Sequence, residues 1–179
     1  LSNCAGSKVV INGVEYVQAD NATYGVYTVD GDYEMNTLAD MQWLANKVNT
    51  GAEYFAGKTV KLANNIYLSN QLFDPIGWGY EHDDFTANGK TFNGTFDGGN
   101  HIIFGLYQNG WEANDCGKTY SYDMAGGGLF ASVENATIKN LVMIDAIVTF
   151  ECVEAGIVVG LAQGSCTFDN IRIFDSKIA

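Results

Sequence analysis

The sequence predicts a mostly β chain built as a solenoid of stacked repeats, with a short β lead-in and one capping α-helix. Three observations carry that expectation. The segment Ala136 to Asp145 (ATIKNLVMID) recurs at Cys166 to Asp175 (CTFDNIRIFD), offset by 30 residues, with Thr, Asn and Asp identical and the apolar positions apolar in both. A repeat of that length forms a structural unit that cannot bury its own apolar side chains and so stacks on its neighbours. The composition agrees: 47% hydrophobic and 17% charged residues, with 21 Gly against a single Pro, favours strands joined by Gly and Asn turns. The third observation is the cadence of an Asn followed by apolar, variable, apolar, found at Asn65, Asn140 and Asn170. Asn tolerates left-handed backbone, which suits a bend between two short strands, and stacked Asn residues can hydrogen-bond in a ladder.

Taken in order, the chain opens with two β runs, Val9 to Val17, around Asn12-Gly13, a strong hairpin signal. A third β-rich run covers Tyr24 to Tyr33, and residues 1–35 are read as a lead-in packed on the solenoid. A helix follows. Thr37 is placed to cap it with Asp40 in a capping-box-like pair, and Leu38, Met41, Trp43, Leu44, Ala45 and Val48 form its apolar stripe before Gly51 ends it. A helix there is expected to close the end of the core and shield a strand edge, with Trp43 as a core plug rather than a ligand platform. Residues 36–179 then comprise that helix plus the repeats, one domain of the kind found within longer proteins. The last repeat, ending in Ser176 to Ala179, carries no capping helix, Pro or charged run, so its edge is expected to meet further repeats or an oligomer partner.

The 179 residues carry 21 acidic and 9 basic side chains, a net charge of −12. Such a chain repels phosphate backbones and anionic bilayers, which argues against nucleic acid as a partner. No run reaches the ~20 apolar residues of a membrane span, so membrane insertion is not expected. Cys4, in Leu1-Ser2-Asn3-Cys4, loosely matches a lipid-anchoring site, although Asn3 stands where a small residue is preferred. Four cysteines (Cys4, Cys116, Cys152, Cys166) allow three fully paired connectivities. Cys152 and Cys166 fall near neighbouring repeats, and could pair in an exported protein or serve as small core fillers.

Phe92 to Leu106 (FNGTFDGGNHIIFGL), then Gly127 to Val133 (GGLFASV), then Ala136 to Leu141 (ATIKNL) resembles the GLUG-repeat proteins, secreted or surface-attached bacterial proteins. The resemblance covers roughly residues 38–179, and Gly156 to Leu161 is a degenerate second copy of the Gly-rich element. It implies a right-handed parallel β-helix related to the pectin-lyase-like fold, an extracellular or cell-surface location, and a non-catalytic role in adhesion or in binding a glycan or a host or bacterial surface protein. Its motifs are structural and bring no catalytic residues with them.

Two long loops interrupt the pattern, and each mixes aromatics with acids and amides. Trp78, Tyr80 and Phe85 stand in one, and Trp111, Tyr120 and Tyr122 in the other. Long loops on a regular scaffold are where binding sits, and aromatics supply contact area at low entropic cost, so these six are the candidate ligand contacts. Glu81, Asp83 and Asp84, beside His82, form the densest acidic cluster and offer oxygens to Ca²⁺, although without EF-hand spacing. No other cofactor is expected. The alternative function is a carbohydrate-active enzyme, a polysaccharide lyase or glycosidase, with an atypical acidic site. General acid and base work on a glycosidic bond needs two carboxyl groups roughly 5–10 Å apart, and the nearest approach is Asp97 with His101. That pair lies in a Gly-rich turn, where Asp97 is expected to bind backbone instead of substrate, and Ser165 lacks a Gly-x-Ser-x-Gly setting. The sequence therefore reads as a binding module and not as an enzyme.

Overall fold

A computed structural model describes residues 8–11, 13–18, 26–29, 31–77, 90–109, 127–149 and 154–179. The lead-in is antiparallel. β1 (Lys8–Ile11) and β2 (Val14–Gln18) pair as a hairpin in which Ile11 faces Val14, with Gly13 at φ 84°. β3 (Tyr27–Val29) pairs with β2 and then with β4 (Asp32–Met35) around a second left-handed glycine, Gly31.

β4 is where the pairing turns parallel. It lies beside β5 (Thr59–Leu62) with Tyr33 opposite Val60, and the helix α1 (Leu38–Asn49) connects the two. The capping box forms as the sequence predicts. The Thr37 hydroxyl accepts the Asp40 N–H, while the buried Asp40 carboxylate accepts the N–H groups of Asn36 and Thr37 at 2.8 and 2.9 Å. Asp works here despite the usual preference for Glu or Gln because Asp40 satisfies two orphan donors at once. The helix buries Met41, Trp43, Leu44, Ala45 and Val48. It plugs the core, whereas the β5 edge is shielded by β4, so the lead-in and the helix divide the capping between them.

The remaining strands are β6 (Ile66–Tyr67), β7 (Thr95–Asp97), β8 (Ile102–Phe104), β9 (Tyr107–Asn109), β10 (Phe130–Glu134), β11 (Thr137–Ile144), β12 (Ile147–Thr149), β13 (Val159–Gln163), β14 (Thr167–Phe174) and β15 (Lys177–Ile178). Every pairing among the described strands from β4 onward is parallel. Three sheets result. The largest runs β1-β2-β3-β4-β5-β7-β11-β8-β6, with β14 also on β11; β10 pairs with β13, and β9, β12 and β15 form the third.

The repeat read from the sequence is the register of the structure. β11 and β14 align Thr137 with Thr167, Ile138 with Phe168, Leu141 with Ile171 and Met143 with Ile173. On its other side β11 pairs first with β7 and then with β8, so one bent strand matches two short ones. The bend in β11 is the single residue Asn140 (φ 52°), while the facing turn is Gly98-Gly99-Asn100-His101. Gly98 is required there because a Cβ would sit 2.5 Å from the Asn140 carbonyl oxygen.

The core runs through these layers as columns of side chains. Val60, Phe96 and Ile138 make one, and Ile66, Ile103 and Met143 another, all of them buried. A chain of ring contacts leads inward from the helix, from Trp43 to Phe55 (5.8 Å), Phe92 (5.8 Å), Phe130 (5.2 Å) and Phe96 (5.3 Å). Trp43 is thus the plug the sequence predicts. Among the described residues Asp40, Thr91, Gln108 and Ser132 are buried polar ones, and the Gln108 amide donates to the carbonyls of Phe73 and Gly128 and accepts the Gly128 N–H. The columns continue at Phe168 and Ile173, but these stand 48% and 46% exposed because no described strand lies beyond β14.

Candidate functional site

The six aromatics of the two long loops, Trp78, Tyr80, Phe85, Trp111, Tyr120 and Tyr122, and the acidic cluster Glu81, Asp83 and Asp84 lie outside the described residues, as do Cys4, Cys116 and Cys152. Among the described residues no group of three or more His, Cys, Asp and Glu is placed to hold a metal. Cys166 carries a free, half-buried thiol that donates to the Gln163 carbonyl and packs against the core.

Asp97 is committed to its own turn. One carboxylate oxygen accepts the Gly99 N–H at 2.9 Å and the Asn140 amide at 3.0 Å, and the other lies 3.5 Å from the Lys139 ammonium. Burial works against its ionisation, yet the Gly99 N–H, the Asn140 amide and Lys139 together outweigh it and hold the carboxyl below its ordinary range. His101 closes the same turn through its backbone, donating to the Gly98 carbonyl.

The Asn ladder expected from the cadence is present. The Asn170 amide donates to the side-chain oxygens of Asn140 and Asn100, both at 3.0 Å, and Asn140 donates on to Asp97. Asn100, Asn140 and Asn170 are all left-handed, with φ between 50° and 61°. Asn65 joins differently, its side-chain oxygen accepting the Ile102 N–H.

Two outward-facing columns were not apparent from the sequence. The first is a ladder of alternating charge, in which Glu34 faces Lys61, Lys61 faces Asp97, Asp97 faces Lys139 and Lys139 faces Asp169 across β4, β5, β7, β11 and β14. Opposite charges directly across strands are favourable and like charges are not, so this ladder helps to specify the register. The second column is apolar. Tyr67, Phe104, Ile144 and Phe174 align across β6, β8, β11 and β14, with the Tyr67 and Phe104 rings 6.1 Å apart. They face outward because the preceding residues Ile66, Ile103 and Met143 face the core and successive side chains alternate. Tyr67 is 60% and Phe174 51% exposed, and Phe104 and Ile144 are half-buried between them. At strand spacing the column spans roughly 14 Å, a continuous apolar ridge of the kind that marks an interaction surface. Its signal in the sequence is an apolar residue directly after each core-facing one, a feature that becomes visible only once the strands are aligned.

No protein-family model, curated protein or solved structure matches this chain.

Proposed function

We propose that the chain is a non-catalytic binding module, an exported bacterial β-helix of the GLUG type that holds an extracellular glycan or a surface protein. Parallel pairing in three sheets, at offsets of 29 residues between β10 and β13 and of 30 between β11 and β14 and between β12 and β15, supports the right-handed β-helix reading. The observation that carries the binding role is the outward column Tyr67, Phe104, Ile144 and Phe174. An apolar ridge held at strand spacing by a buried stack is a preorganised platform, and aromatic members contribute about 0.5–1.5 kcal/mol each beyond area burial. The aromatics of the two loops, Trp78 to Phe85 and Trp111 to Tyr122, extend the contact surface in this reading, and Glu81, Asp83 and Asp84 are the place where Ca²⁺ would bind.

Immobilised pectic and host-type glycans and surface-protein extracts test it, with retention of the chain and release of reducing ends read in parallel. Retention without release is expected. The double variant Tyr67→Ala/Phe104→Ala should weaken retention about tenfold, since two lost aromatic contacts together approach the 1.4 kcal/mol that a tenfold change represents. Release of reducing ends that disappears in Asp97→Ala would establish the enzyme instead, and retention indifferent to the double variant would remove the ridge from the binding surface.

A further inference from the structure

The outer face of β14 has the features of an interface in want of a mate. Among the described strands β14 pairs only with β11, β13 only with β10 and β15 only with β12, so one backbone edge of each is open. Phe168 and Ile173 lie half-exposed over the end of the core columns, and Ile178 on β15 is likewise 52% exposed. The charge ladder also stops there. Lys61, Asp97 and Lys139 each have an opposite charge on both flanking strands, whereas Asp169 has Lys139 on one side only.

We infer that this face closes against the same face of a second copy, with the two β14 strands antiparallel about a twofold axis. The pleat selects the register. Phe168 and Ile173 stand on the core side of β14 in line with Ile138 and Met143, while Asp169 and Arg172 point outward in line with Lys139 and Val142. Antiparallel pairing that sets Asn170 opposite Ile171 of the second copy brings Phe168 against Ile173 and Asp169 against Arg172, each contact occurring twice as a twofold interface requires. A slip of one residue would set core-side positions against outward ones and lose both matches. The left-handed Asn170 bends β14, and in this register the two bends meet at the axis, so arm 167–169 of one copy lies along arm 172–174 of the other. Arg172 then supplies the cation that the ladder needs beyond Asp169. In the single chain its guanidinium donates to the Asn100 side-chain oxygen, and its other donors are available for the bidentate geometry it makes with carboxylates.

The test is sedimentation of the whole chain over a concentration series at about 0.15 M salt, where the Debye length of roughly 8 Å limits repulsion between two acidic bodies. A concentration-dependent dimer is expected. Arg172→Glu places two acids opposite each other and Asp169→Arg two bases, so each variant alone should dimerise at least about tenfold more weakly, from two cross-strand pairs turned repulsive. An equal mixture of the two variants sets an acid against a base at both of the twofold-related contacts, so it should recover a heterodimer, which only folded chains in this register can do. Three results would each overturn the inference: a chain that stays monomeric throughout the series, leaving the face to a further strand of polypeptide or to another protein; a dimer indifferent to either variant; and a mixture that associates no better than its components.

Discussion

Ile103 and Ile173 occupy the same core column, on β8 and β14 with Met143 between them, yet Ile103 is fully buried and Ile173 is 46% exposed. Replacing each with Ala removes the same atoms from two different settings. At Ile103 the neighbours on both flanking strands stay in place and leave a cavity, so the loss combines transfer and cavity contributions, about 2–5 kcal/mol. At Ile173 water already reaches half of the side chain and no cavity forms, so only about half of the 1.5–3 kcal/mol for full burial is lost, roughly 1 kcal/mol. For a chain of this size 1 kcal/mol corresponds to about 2–4 °C in Tm, so Ile103→Ala should melt several degrees below Ile173→Ala. The assay is thermal unfolding followed by circular dichroism, run dilute enough that β14 faces are unpaired. Equal losses under those conditions would refute the placement of β14 at an open end. Should the Ile173→Ala loss grow with protein concentration, the added cost measures the covering of that face by a second copy.

Two further outcomes follow from the polar turn. Asp97→Ala should cost about 1–3 kcal/mol at neutral pH, the range for a partly buried carboxylate that accepts two hydrogen bonds, with the binding of immobilised ligand otherwise retained. Because the folded chain holds the Asp97 carboxyl below its unfolded value of ~3.9, that contribution is complete above pH ~4 and fades as pH falls through the folded value. Wild type and variant should therefore converge in acid, and a gap that stays undiminished as the carboxyl is protonated would assign the loss to packing alone. At Asn140, substitution by Ala keeps the left-handed backbone but loses the short polar side chain that lets Asn tolerate it, costing up to about 1–2 kcal/mol, and also removes the hydrogen bonds to Asp97 and Asn170. Asn140→Gly removes the bonds without that backbone penalty, so thermal melts should rank wild type, Gly, Ala; an Ala variant as stable as the Gly variant would show that the backbone term is negligible.

The repeat was legible to the residue. Identical Thr and Asn at a 30-residue offset place Thr137 on Thr167 and Asn140 on Asn170, because stacked strands must keep the same residue at the same bend or every side chain changes face. The capped helix was legible for a comparable reason, since Thr37 and Asp40 act within one turn of chain. What the sequence does not display is any property of a column. Glu34, Lys61, Asp97, Lys139 and Asp169 are separated by unequal lengths of chain, so their alternation emerges only when the loops between them are folded away. The ridge of Tyr67, Phe104, Ile144 and Phe174 is hidden in the same manner, as each member reads locally as one more apolar residue of a strand. The aromatics of the two loops were the conspicuous candidates because loops declare themselves locally.

Gln108 gives the stack a different kind of freedom. Its side chain imitates a strand, offering Gly128 both a donor and an acceptor across a separation of 20 residues. The chain that departs after Asn109 and returns at Gly127 is therefore clasped where both its ends meet the core. Loop closure grows only logarithmically with length, each doubling adding ~0.6 kcal/mol. Residues 110–126 can accordingly be lengthened, shortened or rewritten at small cost in closure entropy, and the Gln108 clasp makes this a position where one connecting segment can be exchanged for another while the strands on either side stay paired.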